Sequence, residues 1–308
     1  MSYDIIIIGA GPAGLTAGLY GARAKLRTLV IEKSMVGGRA ATTDIIENYP
    51  GFPAGINGFE LGMKMKEQAE RFGLEIITDD VKAVELQGEL KTVVTTNNGE
   101  YRSKTLIIAT GAKANELKVP GERALTGHGV SYCGTCDGAF FQNQQVVVVG
   151  GGDTAIEDAL FLTRFASKVT VIHRRDSLRA TKILQERAFA EPKISFIWNS
   201  AVEKVIGEAK VSAIEIRNLL TGTRETLATD GVFVFVGATP ETEFLDQDLK
   251  CIDRGYLVAD ESTVTCIPGV FAAGDVRTKA LRQVVTAVAD GANAIIAIEK
   301  YLEDSGNN

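Results

Sequence analysis

The chain has 308 residues, of which 45% are hydrophobic, and it carries a formal net charge of −6. That length corresponds to about two domains and is enough to bury a sizeable core. A mildly acidic chain has no overall attraction for nucleic acid or an anionic membrane, so neither is expected as a partner.

The N-terminus, Met1-Ser2-Tyr3-Asp4, runs straight into an apolar strand without a basic region or a small-residue cleavage site. No secretory signal is expected. Apolar runs such as Ile5 to Ile8 are too short to span a bilayer, and a soluble, cytoplasmic protein is expected. Residues 3–9 read as a buried strand, Gly9-Ala10-Gly11-Pro12-Ala13-Gly14 as a turn, and Pro12 as the first turn of a helix reaching about Ala24. Thr28 to Ile31 forms a second strand that ends at Glu32. This strand–glycine turn–helix–strand context raises a glycine motif above chance as a dinucleotide site. An acidic residue at the end of the second strand suits ribose hydroxyls and repels a 2′-phosphate.

Residues 75–110 read as a meander with a tight turn at Asn98-Gly99, returning into Thr105 to Gly111. The pattern then repeats. Gln145 to Val149 is a strand, Gly150-Gly151-Gly152-Asp153-Thr154-Ala155 a second turn, and a helix runs to about Phe165 before a strand from Lys168 to Ile172. Here His173, Arg174, Arg175 and Arg179 replace the acidic residue. Guanidinium groups bind phosphate oxygens well, so this site suits NADPH rather than NADH. A second β-rich stretch spans 194–230 and closes on Gly231 to Gly237. The last elements are a strand, Val270 to Ala273, then Gly274-Asp275 and an apolar helix from about Leu281 to Tyr301. These lack a glycine turn of their own and should complete the first domain. The expected organisation is α/β: two Rossmann-like dinucleotide-binding domains of the three-layer ββα type. The first spans 1–113 and 243–308, and the second, 114–242, is inserted within it.

Cys133-Gly134-Thr135-Cys136-Asp137 lies just before the second glycine turn. A Cys-x-x-Cys pair is redox-active or half of a metal site. With two histidines in the chain, and with Cys251 and Cys266 not spaced as a second pair, no metal is expected. Cys251 and Cys266 are expected to be small buried hydrophobes.

Together these segments resemble the low-molecular-weight, bacterial-type NADPH–thioredoxin reductases over essentially the whole chain. The resemblance rests on Gly9 to Gly14, Gly37-Gly38, Glu47 to Gly51, Ala109 to Gly111, Cys133 to Gly138, Gly150 to Ala155, His173 to Ala180, Gly274-Asp275 and Arg282-Gln283. It implies FAD in the first domain, held by Gly9, Gly11, Pro12, Ala13, Gly14, Glu32, Lys33, Gly37, Gly38, Arg39 and Asn48. Val81, Ala109, Thr110, Gly111, Gly274, Asp275, Arg282, Gln283 and Val284 complete that set. It implies NADPH in the second domain, on Gly150, Gly152, Asp153, Thr154 and Ala155, with the 2′-phosphate on His173, Arg174, Arg175 and Arg179. By the same resemblance Cys136 exchanges electrons with the flavin, Cys133 attacks the thioredoxin disulfide, and Asp137 serves as acid. The family works as homodimers, with rotation of the inserted domain between half-reactions. Two positions depart from its pattern: Gly134 stands where alanine is usual, and Arg39 where glutamine is. The alternatives are the same relay serving a glutaredoxin-like or peroxiredoxin partner, a different electron donor, or a non-enzymatic flavin redox sensor.

The charge reversal between the two sites makes a prediction. Replacing Arg174 and Arg175 with Ala removes charge-assisted bonds of about 1.5–3 kcal/mol each. The preference for NADPH over NADH should fall about tenfold or more, measured as the ratio of the two Kd values. An unchanged ratio refutes the phosphate assignment.

Overall fold

The computed structural model describes residues 2–246 and 252–306. It divides into two compact units, Met1–Lys113 with Thr239–Asn308, and Ala114–Ala238. The second crossing thus falls at 238/239, not at 242/243. Residues 239–242 hold to the first unit: the Glu241 amide donates to Gly111 O (3.0 Å), Thr110 Oγ1 to Glu241 O (2.6 Å), and Thr242 Oγ1 to Gly255 O (2.8 Å). The short strands at the crossings, Ala112–Ala114 and Ala238–Pro240, pair with each other.

The first unit is built on the strand Glu100–Ile108. One edge pairs in parallel with Tyr3–Ile8, which is followed outward by Thr28–Glu32 and Glu75–Thr78. The other edge is shared. Its first half pairs antiparallel with the meander strand Lys91–Thr95, and its second half pairs in parallel with Val270–Ala272. The Ile5 to Ile8 run is explained by this position. Ile5 and Ile7 face a core shared with helices α1 (Pro12–Arg23) and α6 (Val284–Gly306), through Leu15, Ala17, Ile295 and Ile298. Ile6 and Ile8 face a second core with Leu86, Val93, Leu257 and Ile267. A strand buried on both faces reads as an unbroken apolar run.

The second unit repeats the plan. Its parallel sheet runs Ile194–Ile197, Lys168–Ile172, Gln145–Gly150, Gly231–Phe235, Val130–Ser131. Helices α4 (Asp153–Leu162) and α5 (Lys182–Ala190) share the core of one face, through Ile156, Leu162 and Leu184. Val202, Val205, Val211 and Ile214, from a separate three-stranded antiparallel sheet, fill the other. A single helical turn, α3 (Gly134–Asp137), holds the cysteine pair.

Two helices carried no clear sequence signal. Helix α2 (Gly58–Glu70) starts at Asn57, whose Oδ1 accepts the amides of Phe59 and Glu60 (3.1 and 3.2 Å). Helix α5 buries Leu184 and Ala188 but exposes Ile183 and Phe189, which blurs its apolar stripe. Helix α6 begins at Val284 rather than Leu281, because the Thr286 hydroxyl accepts the Gln283 amide (3.2 Å) and closes the preceding residues into a turn.

Phe233 is fully buried, edge-on to Phe141 at 5.2 Å between ring centroids. Phe233→Ala should destabilise the second unit by about 3–5 kcal/mol. Trp198, the one tryptophan, lies in the same unit, so denaturant unfolding followed by its fluorescence checks the value.

Candidate active site

In the first unit, the glycine turn exposes backbone because side chains cannot fit. Gly9 adopts φ +102°, and a Cβ there would lie 2.5 Å from Ala109 O. A Cβ on Gly14 would run into the Gly9 carbonyl oxygen. Gly38, at φ +56°, packs against Gly11, so two side-chain-free backbones form a groove at the start of α1. Such a helix N-terminus presents amides to a pyrophosphate. Glu32 is buried, and its Oε2 accepts the Ala10 amide at 2.7 Å while Oε1 accepts the Ser34 amide at 3.0 Å. The acid at the strand end therefore braces the turn itself as well as lying beside the groove. It lines a cleft with Lys33, Asp79, Val81, Thr110 and Phe244. Lys33 there is ion-paired with Glu241.

The remaining FAD candidates of this unit gather in two places. Gly274 packs on Ala13, where a Cβ would meet the Ala13 methyl at 3.0 Å, so the following Asp275 sits by the glycine turn. Asp275 Oδ1 is buried without a hydrogen-bond partner. Burial pushes this carboxyl up from its ordinary value, while Lys279, Arg39 and Arg282 pull it back. Asn48 Nδ2 donates to Gln283 Oε1 at 3.1 Å, joining two candidates far apart in sequence. Arg282 lies over the Tyr256 ring at 4.4 Å and leaves its buried Nε unpartnered. Arg39 is exposed and acts on the Asp275 carboxylate. A groove of bare backbone beside a buried acceptor with a free oxygen fits a pyrophosphate-linked cofactor bearing hydroxyl groups.

In the second unit, the glycine turn and the arginine loop are tied directly. Gly151 O accepts the amides of Arg179 (2.7 Å) and Ala180 (3.1 Å). Asp153 Oδ1 accepts the Thr181 amide at 2.6 Å. Gly150 packs on Ala155, whereas Gly152, at the head of α4, faces open space. Arg174, Arg175 and Arg179 are exposed, and among the described residues none of them is held in an ion pair. Their guanidinium groups are available to a phosphate. His173 differs from them. It is 4% exposed, its ring fills the space a Cβ on Gly151 would need, and its Nε2 has no partner. Burial and then Arg179, Arg175 and Arg174 push its pKa down.

Cys133 and Cys136 form a disulfide. Cys133 is half-buried and Cys136 exposed. Cys133 Sγ accepts the Cys136 amide at 3.2 Å, and the Asp137 amide donates to Cys133 O at 3.3 Å. A methyl on Gly134 would collide with the Asp158 carboxylate of α4, which accounts for the glycine at this position. Cys266 is exposed, contrary to expectation, because it lies on a segment whose alternate residues, Thr265 and Ile267, point inward. Cys251 lies outside the described residues. No group of metal-binding side chains occurs among the described residues. No local pattern points to Asp158, nor to Arg277, Lys279 and Asp290, whose charges are paired only through the fold; Lys279 and Asp290 also act on Asp275.

The neutral, buried His173 ties stability to pH. A pKa lowered in the folded state stabilises above the ordinary value of 6.5 and is lost as pH falls below it. The wild-type melting temperature should drop between about pH 6.5 and 5. His173→Gln should flatten that fall, as thermal unfolding across the range will test.

Residues 3–291 match the sequence profile of the pyridine nucleotide-disulphide oxidoreductases. The chain is 49% identical to a thioredoxin reductase of Peptoclostridium acidaminophilum, covering 98% of this chain and 97% of that one. It is 52% identical to a thioredoxin reductase of Streptomyces clavuligerus, over 97% and 94%. A crystal structure of Lactococcus lactis thioredoxin reductase in its FR conformation superposes with a TM-score of 0.96 at 46% identity, covering 98% and 100% of the two chains.

Proposed function

The chain belongs to the pyridine nucleotide-disulphide oxidoreductase family, and from that premise we propose that it is an FAD-dependent, NADPH-consuming thioredoxin-disulfide reductase. The observation that carries this is one compact unit holding both a Cys-x-x-Cys disulfide and a glycine turn tied, at Arg179 and Ala180, to the loop that bears Arg174, Arg175 and Arg179. Bound FAD supplies the two-electron chemistry that links a hydride donor to a disulfide. The net change is NADPH plus a proton plus thioredoxin disulfide to NADP⁺ plus thioredoxin dithiol.

The residues of this chain take these parts. The glycine groove at Gly9 to Gly14 and the free Asp275 oxygen hold FAD. Arg174, Arg175 and Arg179 select the 2′-phosphate of NADPH, with His173 supporting the turn behind them. The Cys133–Cys136 disulfide would accept an electron pair and open, with Cys136 as the sulfur that exchanges electrons with FAD. Cys133 then attacks one sulfur of the thioredoxin disulfide to give a mixed disulfide, and Cys136 attacks Cys133 Sγ, re-forming the Cys133–Cys136 disulfide and releasing the thioredoxin dithiol. The Cys136 amide that donates to Cys133 Sγ supports this division, since a hydrogen bond to sulfur favours the thiolate that attacks. Asp137, half-buried and next in sequence to Cys136, returns the proton to the departing thiolate.

We infer further that the enzyme works as a cytoplasmic homodimer and that the inserted unit rotates between half-reactions. The two chain crossings lie side by side as paired strands, which is compatible with a hinge. No helix among the described residues is long and apolar enough to cross a membrane.

The purified protein should be yellow and should bleach when mixed anaerobically with NADPH. Cys136→Ser should keep that bleaching and abolish turnover in a coupled assay run against a panel of thioredoxins and glutaredoxins. Turnover preserved in the variant would sink the relay, and a colourless protein would sink the flavin. Turnover with glutaredoxin alone would change the partner.

A further inference from the structure

Asp290 lies in the second turn of α6, with its side chain 5% exposed. It accepts four hydrogen bonds: from the Gly274 amide (2.8 Å), Arg277 Nε (2.9 Å), Arg277 Nη2 (2.6 Å) and Lys279 Nζ (2.8 Å). The Arg277 and Lys279 side chains are 7% and 5% exposed. Two buried cations thus share one carboxylate, and one positive charge is left over. Burying an unanswered charge is expensive, so a second anion is required nearby.

Asp275 supplies it. The Gly274–Asp290 bond fixes the peptide immediately before it, and its buried Oδ1 has no partner. Burial opposes its ionisation, and Asp290 adds like-charge repulsion. Lys279 acts against both, ahead of Arg39 from the 38–42 turn and Arg282 from the segment before α6.

We propose that Lys279 is a positioning residue of the flavin site: its buried ammonium, anchored on Asp290, keeps the Asp275 carboxylate charged and in place, so that its free oxygen accepts a hydrogen bond from the bound cofactor. Arg277 anchors the same loop through Asp290 and the carbonyl oxygens of Ala259 and Thr278 (3.1 and 3.0 Å). A charged acceptor forms a shorter and stronger bond than a neutral one, so the charge on Asp275 bears directly on affinity. Lys279→Met leaves Arg277 and Asp290 as a one-to-one pair and takes from Asp275 its foremost cation. Its carboxyl then protonates at higher pH, and cofactor binding is lost sooner on acidification.

This inference rests on FAD being the cofactor. The test is FAD binding to protein stripped of its flavin, followed by quenching of flavin fluorescence between about pH 8 and 5, with apoprotein melting recorded alongside. Because a nearby opposite charge moves a carboxylate by about 1–3 pKa units, Lys279→Met should bind FAD more weakly than the wild type wherever its Asp275 carboxyl is protonated and the wild type's is not. Its affinity should also begin to fall at a higher pH than that of the wild type. Lys279→Arg, which keeps the charge, should restore binding and the wild-type pH profile. If Lys279→Met does not fold, Lys279→Gln, which still offers Asp290 a donor, carries the same expectation. An unchanged Kd and pH profile in the uncharged variant overturns the proposal. So does Lys279→Arg binding as weakly as Lys279→Met, since shape rather than charge would then be at work. Failure of the wild type to bind FAD at all would instead overturn the functional proposal beneath it.

Discussion

In the first unit, the Gly9 carbonyl oxygen occupies the place a Cβ at residue 14 would take, and most of that unit's chemistry follows from this approach. It brings the end of a buried strand against the first turn of α1 with no side chain between them. Backbone amides are left facing outward at the positive end of the helix. Glu32 then braces the turn through Ala10, and Gly274 closes on Ala13, which carries Asp275 to the same place. The second unit reaches a similar result by other contacts: Gly150 packs on Ala155, while Gly151 ties down the arginine loop.

The two turns share a backbone and differ in charge. A buried acid braces the first, and three unpaired arginines with a neutral imidazole surround the second. On the proposed reading, one fold would distinguish an unphosphorylated ribose from a phosphorylated one through the side chains at the end of the following strand. The disulfide sits in the arginine-bearing unit, on a single helical turn packed against α4. Gly134 there makes room for the Asp158 carboxylate.

Much of this was legible from residue order. Four isoleucines in a row implied a strand buried on both faces, and Ile5 and Ile7 do face one core while Ile6 and Ile8 face the other. The repeated strand–turn–helix implied two nucleotide units, and Cys-x-x-Cys implied a redox pair. Other features were not legible. Helix α5 exposes Ile183 and Phe189, so its period was masked. Residues 239–242 follow the apolar strand Gly231–Phe235 in sequence, yet they bond to residues 110, 111 and 255. Cys266 looked like a small core residue but falls on the outward side of its segment.

The sequence by itself determined the two glycine turns, the opposite charges after them and the redox pair, because each depends on residue types at short, fixed spacing. Only the tertiary structure decided which groups meet across long separations: Asn48 with Gln283, His173 against Gly151, and Asp290 with Arg277 and Lys279 beside Asp275. A carboxylate's partners and burial are set by chain segments that approach only after folding, and no local pattern records them.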